Sequence, residues 1–137
     1  MKTILLSSML LLTVLMQGQK INLTVEMSGF KSDDGRVKVG LYNSEGAFLK
    51  TTFKSVGGDI KNSHASVTFE GLEKGEYAVS IYHDENNNGK MDTGFMGIPT
   101  ESYAASNNAK GFMGPPKYAD AKFVLQNNSK IKIAVNN

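Results

Sequence analysis

From Lys20 onward the apolar and polar residues alternate with a period of two. Ile21, Leu23, Val25 and Met27 interleave with Lys20, Asn22, Thr24 and Glu26, and Val37, Val39 and Leu41 interleave with Arg36, Lys38 and Gly40. Successive side chains of a strand point to opposite faces, so each run predicts a strand with one face buried. Between them Ser32-Asp33-Asp34-Gly35 is a turn signal. Phe48 to Lys54 reads as an extended edge segment and Val56-Gly57-Gly58-Asp59 as a loop. Val67 and Phe69 continue the alternation against Ser66, Thr68 and Glu70; after the turn Gly71–Gly75, the residues Tyr77, Val79 and Ile81 share a face in a strand that ends at His83. Later, Ala119, Ala121, Phe123 and Leu125 form one face and, beyond Asn127-Asn128-Ser129, Ile131, Ile133 and Val135 form another. About seven short strands with polar turns and no helical period predict an all-β fold, a single antiparallel β-sandwich with one long ordered loop.

Ahead of the strands, residues 1–19 read differently. Lys2 precedes an apolar run from Ile4 to Met16, then Gln17-Gly18-Gln19. A charged start, an apolar stretch shorter than the roughly 20 residues of a membrane span, and a small residue before the strands read as a secretion signal. The expected organisation is a signal peptide over 1–19 and a β-sandwich domain over 20–137, with cleavage near Gln19 or Lys20. The expected location is the periplasm or the exterior of the cell, with no transmembrane segment in the mature chain.

Composition narrows the chemistry. The chain has 137 residues, with 15 Lys and Arg against 13 Asp and Glu, and neither Cys nor Trp. That length fits one domain. The net charge of +2, of which Lys2 supplies one, is too small for a phosphate-neutralising surface, so nucleic acid is not an expected partner. Absence of Cys excludes disulfides, Cys-ligated zinc, a thiolate nucleophile and the lipid-bearing Cys of a lipoprotein.

The connection of about 35 residues after His83 is rich in Gly, Asn and Pro and too long for ordinary linking. No internal repeat or low-complexity tract is evident. The connection opens with Asp84-Glu85-Asn86-Asn87-Asn88-Gly89-Lys90-Met91-Asp92, which sets side-chain oxygens at relative positions 1, 3, 5 and 9 and Gly at 6. A hard cation such as Ca²⁺ takes six to eight oxygens at about 2.3–2.6 Å, and odd positions on a tight loop converge on one point. Asp84, Asn86, Asn88 and Asp92 would give side-chain oxygens and Lys90 its carbonyl, with a further carboxylate from Glu101 or Asp120. Position 12 is Phe95 and not Glu, and a strand precedes the loop where a calcium-binding helix pair would have a helix. The alternative is a solvated turn, since Asn88-Gly89 is itself a tight-turn signal.

Beyond this loop seven apolar or aromatic residues, Phe95, Met96, Ile98, Tyr103, Phe112, Met113 and Tyr118, lie among Gly and Pro. They either fold back as a lid on one end of the sandwich, the favoured reading, or form an adaptable contact surface. Tyr77 is either a corner tyrosine bonded to nearby backbone or an ordinary core residue.

The ordered motifs carry a family resemblance. Gly75–Asp92 holds G-x-Y-A-V-x-x-Y-H-D-E-N-x-N-G-K-x-D, and G-I-P-x-E follows at Gly97–Glu101, S-N-N at Ser106–Asn108 and G-P-P-x-Y-x-D-A at Gly114–Ala121. In these the chain resembles the domain of unknown function 2141 family of exported bacterial proteins. The resemblance implies an exported immunoglobulin-like or transthyretin-like β-sandwich and implies no activity. Ala104-Ala105 stands where Gly and an aromatic are common, and Thr100 where Lys is frequent.

Catalytic signals are sparse. His83 beside Asp84 offers a general base or metal ligand, and the alternative is a half-buried histidine bonded to loop backbone. His64 falls in a polar turn. Ser106 lacks a nucleophile-elbow context, and no phosphate-cradling Gly-Lys-Ser/Thr loop is present. The expected function is a non-enzymatic, calcium-stabilised binding or envelope-associated module whose partner is a glycan, peptide or envelope protein. The competing expectation is a small hydrolase or lyase using His83 with Glu101 or Asp84.

Overall fold

The computed structural model describes residues 18–135. The expected signal segment therefore lies, apart from its last two residues, outside the described part. Among the described residues eight strands occur: β1 (Ile21–Ser28), β2 (Arg36–Tyr42), β3 (Lys54–Gly58), β4 (His64–Leu72), β5 (Gly75–Asp84), β6 (Tyr103–Ala105), β7 (Phe123–Leu125) and β8 (Ser129–Ala134). A four-residue helix, α1 (Tyr118–Ala121), precedes β7.

They form two sheets. One has the order β4-β1-β8, and the other runs β3-β2-β5-β6 with β7 also paired to β5. β6 borders Ser80–Tyr82 and β7 borders Gly75–Tyr77, so two short strands share one edge of β5. All pairings are antiparallel except β1 with β8, where the first and last strands run parallel in register from Leu23↔Ser129 to Ser28↔Ala134.

The predicted alternation becomes the core. Ile21, Leu23, Val25 and Met27 of β1 meet Val37, Val39 and Leu41 of β2 and Val79 and Ile81 of β5, all almost fully buried between the sheets. Each such side chain contributes on the order of 1.5–3 kcal/mol relative to exposure. A second cluster covers one end of the outer face of the larger sheet. There Tyr42 and Ala78 lie under Phe48, Tyr118 and Ala121, with Tyr42–Phe48 and Phe48–Tyr118 in edge-on contact at 5.2 and 5.6 Å between centroids.

Three local expectations are corrected. Val56-Gly57-Gly58 lies in β3 rather than a loop, because Val39↔Val56 and Val37↔Gly58 pair it to β2. The segment before it turns instead of extending, with Lys50 N and Thr51 N both bonded to Ala47 O at 2.9 Å. Ala119 and Ala121 belong to α1 and not to a strand, since a helical turn puts Tyr118 and Ala121, three apart, on one buried face.

Tyr77 combines both of its readings: it is buried, and its hydroxyl donates to Glu73 O at 2.7 Å. Burial first, and then the Glu73 charge, raise its phenol above the ordinary 10.0. Among the described residues no helix is long and apolar enough to cross a membrane.

Candidate functional site

The pleat of β5 sends its last two side chains to opposite faces, and both are fully buried. His83 points into the sandwich, edge-on to Phe30 at 5.3 Å. Its Nε2 donates to Asp34 O at 2.6 Å, since a carbonyl can only accept. Nδ1 is buried without a hydrogen-bond partner and lies 3.6 Å from Glu85 Oε1. The histidine is thus more deeply placed than half-buried, and neither of the two surface hollows described below is lined by it. His64, expected in a polar turn, instead opens β4 opposite Ser28, with Nδ1 2.7 Å from Asn62 O.

Asp84 shapes the loop that follows. Its Oδ1 accepts from Asn88 N at 3.1 Å and its Oδ2 from Gly89 N at 2.8 Å. Asn87 and Gly89 take the left-handed region, φ 56° and 80°, which reverses the chain over the carboxylate. Gly35 closes from the other side: its φ is +66°, and a Cβ there would fall on the carbonyl oxygen of Asp84. No larger residue fits that approach.

Glu101 holds the two ends of the loop together. Almost buried, it accepts from Glu85 N with Oε2 and from Asp92 N with Oε1, each at 2.8 Å. Thr100 adds bonds from its N and Oγ1 to Asp92 O, at 2.9 and 3.2 Å. Of the two carboxylates expected to join from elsewhere, Glu101 is therefore at the loop. Asp120 is on α1, which covers the opposite end of the sheet's outer face.

The exposed side of the loop gathers three side chains. Asn88 Nδ2 donates to Asp92 Oδ1 at 2.6 Å, and Asn86 Nδ2 donates to Asp92 Oδ2. Asn86 Oδ1 accepts from Asn88 N at 3.3 Å and Asn88 Oδ1 from Lys90 N at 3.1 Å. Tyr82 reaches in from β5, donating its hydroxyl to Gly89 O at 3.1 Å. Its phenol is held above 10.0 by burial first and then by the charges of Asp84 and Glu101. The site is electronegative. Among the described residues no three of His, Asp and Glu are grouped to hold a metal by themselves, so any cation here would depend on amide and backbone oxygens as well.

Gly89 also walls a hollow of about 380 Å³ on the outer face of the larger sheet, alongside Lys38, Gly40, Tyr42, Ser80 and Tyr82. Its polar floor includes the Tyr42 hydroxyl 3.0 Å from Ser80 Oγ. A second hollow, of about 450 Å³, lies where the long connection meets β6 and includes Lys31, Glu101, Tyr103 and Lys110.

The lid expectation is overturned. Of its seven side chains Tyr118 alone is buried; Phe95, Met96, Ile98, Phe112 and Met113 are 63–93% exposed and Tyr103 44%. Phe48, Tyr118 and Ala121 are what covers Tyr42 and Ala78 on the outer face, and the other side chains do not join that cluster. The long connection also carries a repeat four residues long. Gly-Phe-Met-Gly occurs at 94–97 and again at 111–114, too short to mark a structural repeat but visible to a search for identical tetrapeptides.

These features define an eight-stranded β-sandwich with a braced acidic and amide loop at the end of one strand. The chain belongs to the family DUF2141, described as an uncharacterized protein conserved in bacteria, which matches residues 25–133. No curated protein and no solved structure matches the chain.

Proposed function

We propose that this protein is an exported, non-enzymatic binding module whose 84–92 loop takes up Ca²⁺ and thereby fixes one wall of the Tyr42–Tyr82 hollow. The observation that carries the reading is the meeting of Asn86, Asn88 and both carboxylate oxygens of Asp92 on the exposed side of the loop. A half-turn of each terminal amide aims Oδ1 at the same point, at the expense of the bonds that Asn86 Oδ1 and Asn88 Oδ1 accept from Asn88 N and Lys90 N, which the cation has to outweigh. Asp92, Asn86 and Asn88 are then side-chain ligands, Lys90 offers its carbonyl and water completes the shell. Asp84 and Glu101 hold the backbone and supply the negative field that the Tyr82 phenol registers. With so few carboxylates the affinity belongs in the range of roughly 10⁻⁴–10⁻³ M, typical of extracellular modules. The hollow, lined by hydroxyls and Lys38, suits a polar ligand such as a glycan or peptide, alone or on an envelope protein.

Thermal unfolding tests this reading on the chain from Lys20 onward, which contains every strand and both apolar clusters. Ca²⁺ at tenfold its Kd stabilises by about 1.4 kcal/mol over EDTA, by mass action. Asp92→Asn removes the gain. A wild-type midpoint that is the same in millimolar Ca²⁺ and in EDTA contradicts the reading.

A further inference from the structure

The two Gly-Phe-Met-Gly segments share a backbone feature and an exposure. In each the Met takes the left-handed region, Met96 at φ 58° and Met113 at φ 55°. In each the Phe and Met stand almost wholly in water: 86 and 82% exposed in the first, 93 and 92% in the second. Neither is a loose end. The first is the tip of a small hairpin, with Gly94 N donating to Ile98 O at 2.7 Å and Thr93 bridged to Pro99. The second is a turn so tight that a Cβ on Gly111 would fall on the Gly114 carbonyl oxygen, and Pro115-Pro116 fix its exit.

The feet of both tips line the larger hollow. Pro99 comes from one tip, Gly111 and Pro116 from the other, and Lys31 and Lys110 line the same hollow. Among the described residues neither lysine forms an ion pair. The hollow's carboxylate, Glu101, is engaged by two backbone N–H groups. Tyr103, 44% exposed, stands at the same rim.

We propose that the two Phe-Met tips insert into an anionic lipid bilayer, with Lys31 and Lys110 meeting headgroup phosphates behind them. Single exposed apolar residues are ordinary, but four large ones at two matching apices are not. Two tips of two large apolar residues each fall short of the roughly 20–30 residues that a stable protein partner covers, whereas fluid acyl chains close around isolated side chains without a complementary shape. Apolar tips, an exposed tyrosine and unpaired cations gathered about one hollow are the kinds of group that a membrane interface takes up with its acyl chains, its boundary and its phosphates. This inference goes beyond the proposed function, for it uses neither the 84–92 ligands nor calcium.

The test is flotation of the chain from Lys20 onward with vesicles in EDTA, either of phosphatidylcholine alone or of phosphatidylcholine mixed with phosphatidylglycerol. The wild type partitions more strongly into the mixed vesicles. Phe95→Ser with Met96→Asn lowers partition roughly tenfold, as does Phe112→Ser with Met113→Asn, and the four together abolish it. Asn accepts the left-handed backbone, and all four side chains are exposed, so the thermal midpoint stays in place. Lys31→Gln or Lys110→Gln costs roughly fivefold on mixed vesicles and nothing on phosphatidylcholine alone. Because the chain has no Trp, Phe95→Trp and Phe112→Trp are clean reporters whose emission shifts to the blue on binding. A wild type that ignores both vesicles, a fourfold variant that binds as well as wild type, or reporters that stay red when bound overturns the proposal. Tip-dependent dimers in ultracentrifugation with no vesicle binding assign the tips to a second copy and overturn it too.

Discussion

Asp33 shows how one side chain fixes a junction between distant parts of the chain. Its two oxygens accept from Asn62 N and Ser63 N, each at 2.8 Å, and these residues sit at φ 52° and 63°, which the turn between Ile60 and His64 requires. The bonds from Ser63 and then Asn62 hold its carboxyl below the ordinary 3.8. A carboxyl with a depressed folded value stabilises above its unfolded value, and the contribution is lost as pH falls through the folded one. The unfolding midpoint of the wild type therefore drops on acidification below about pH 4, and Asp33→Asn flattens that part of the profile. Equal acid slopes in the two proteins would contradict the assignment. Ser32-Asp33-Asp34-Gly35 is legible in the sequence as a turn, but its partners at 62 and 63 are not, because nothing local links residues so far apart. The same holds for Gly35, whose necessity comes from the Asp84 carbonyl on another strand.

At the scale of elements, alternation identifies the long strands because a single buried face writes its period directly into the residues. It fails for β3, where Gly58 replaces a side chain for lack of space: a Cβ there would come 2.9 Å from Val67 and 3.3 Å from Val37. It fails for α1 because four residues are too few for a helical period to show, and alternate alanines serve strand and helix equally. In the 84–92 loop the spacing of oxygens is legible and the division of labour is not. Asp84 and Glu101 act on backbone N–H groups while Asp92 faces outward with Asn86 and Asn88. Glu101→Ala leaves the N–H groups of Glu85 and Asp92 without their acceptor and costs about 2–4 kcal/mol in urea unfolding, with faster hydrogen exchange at those two amides. Glu101→Gln, which keeps one good acceptor, costs less. An unchanged midpoint for Glu101→Ala would remove the brace from the account.

Over the whole molecule, the sandwich buries its apolar faces and leaves one end to irregular chain. There β5 delivers His83 to the interior and Asp84 to the loop, while the long connection returns through Glu101 to close that loop before reaching β6. The apolar residues of the connection divide by what they meet. Tyr118 packs on Phe48 and is buried, whereas Phe95 and Phe112 stand outside both apolar clusters in water. Composition cannot announce that division, since it depends on how much of the sheet is already covered. Cation binding by a loop built on this frame is read out residue by residue in the amide resonances of the ¹⁵N-labelled chain from Lys20 onward during a Ca²⁺ titration. A cation held there shifts Asn86, Asn88, Gly89, Lys90 and Asp92 saturably, Thr100 and Glu101 less, and nothing in the β4-β1-β8 sheet. Resonances of residues 85–92 that stay fixed through millimolar Ca²⁺ would contradict that binding.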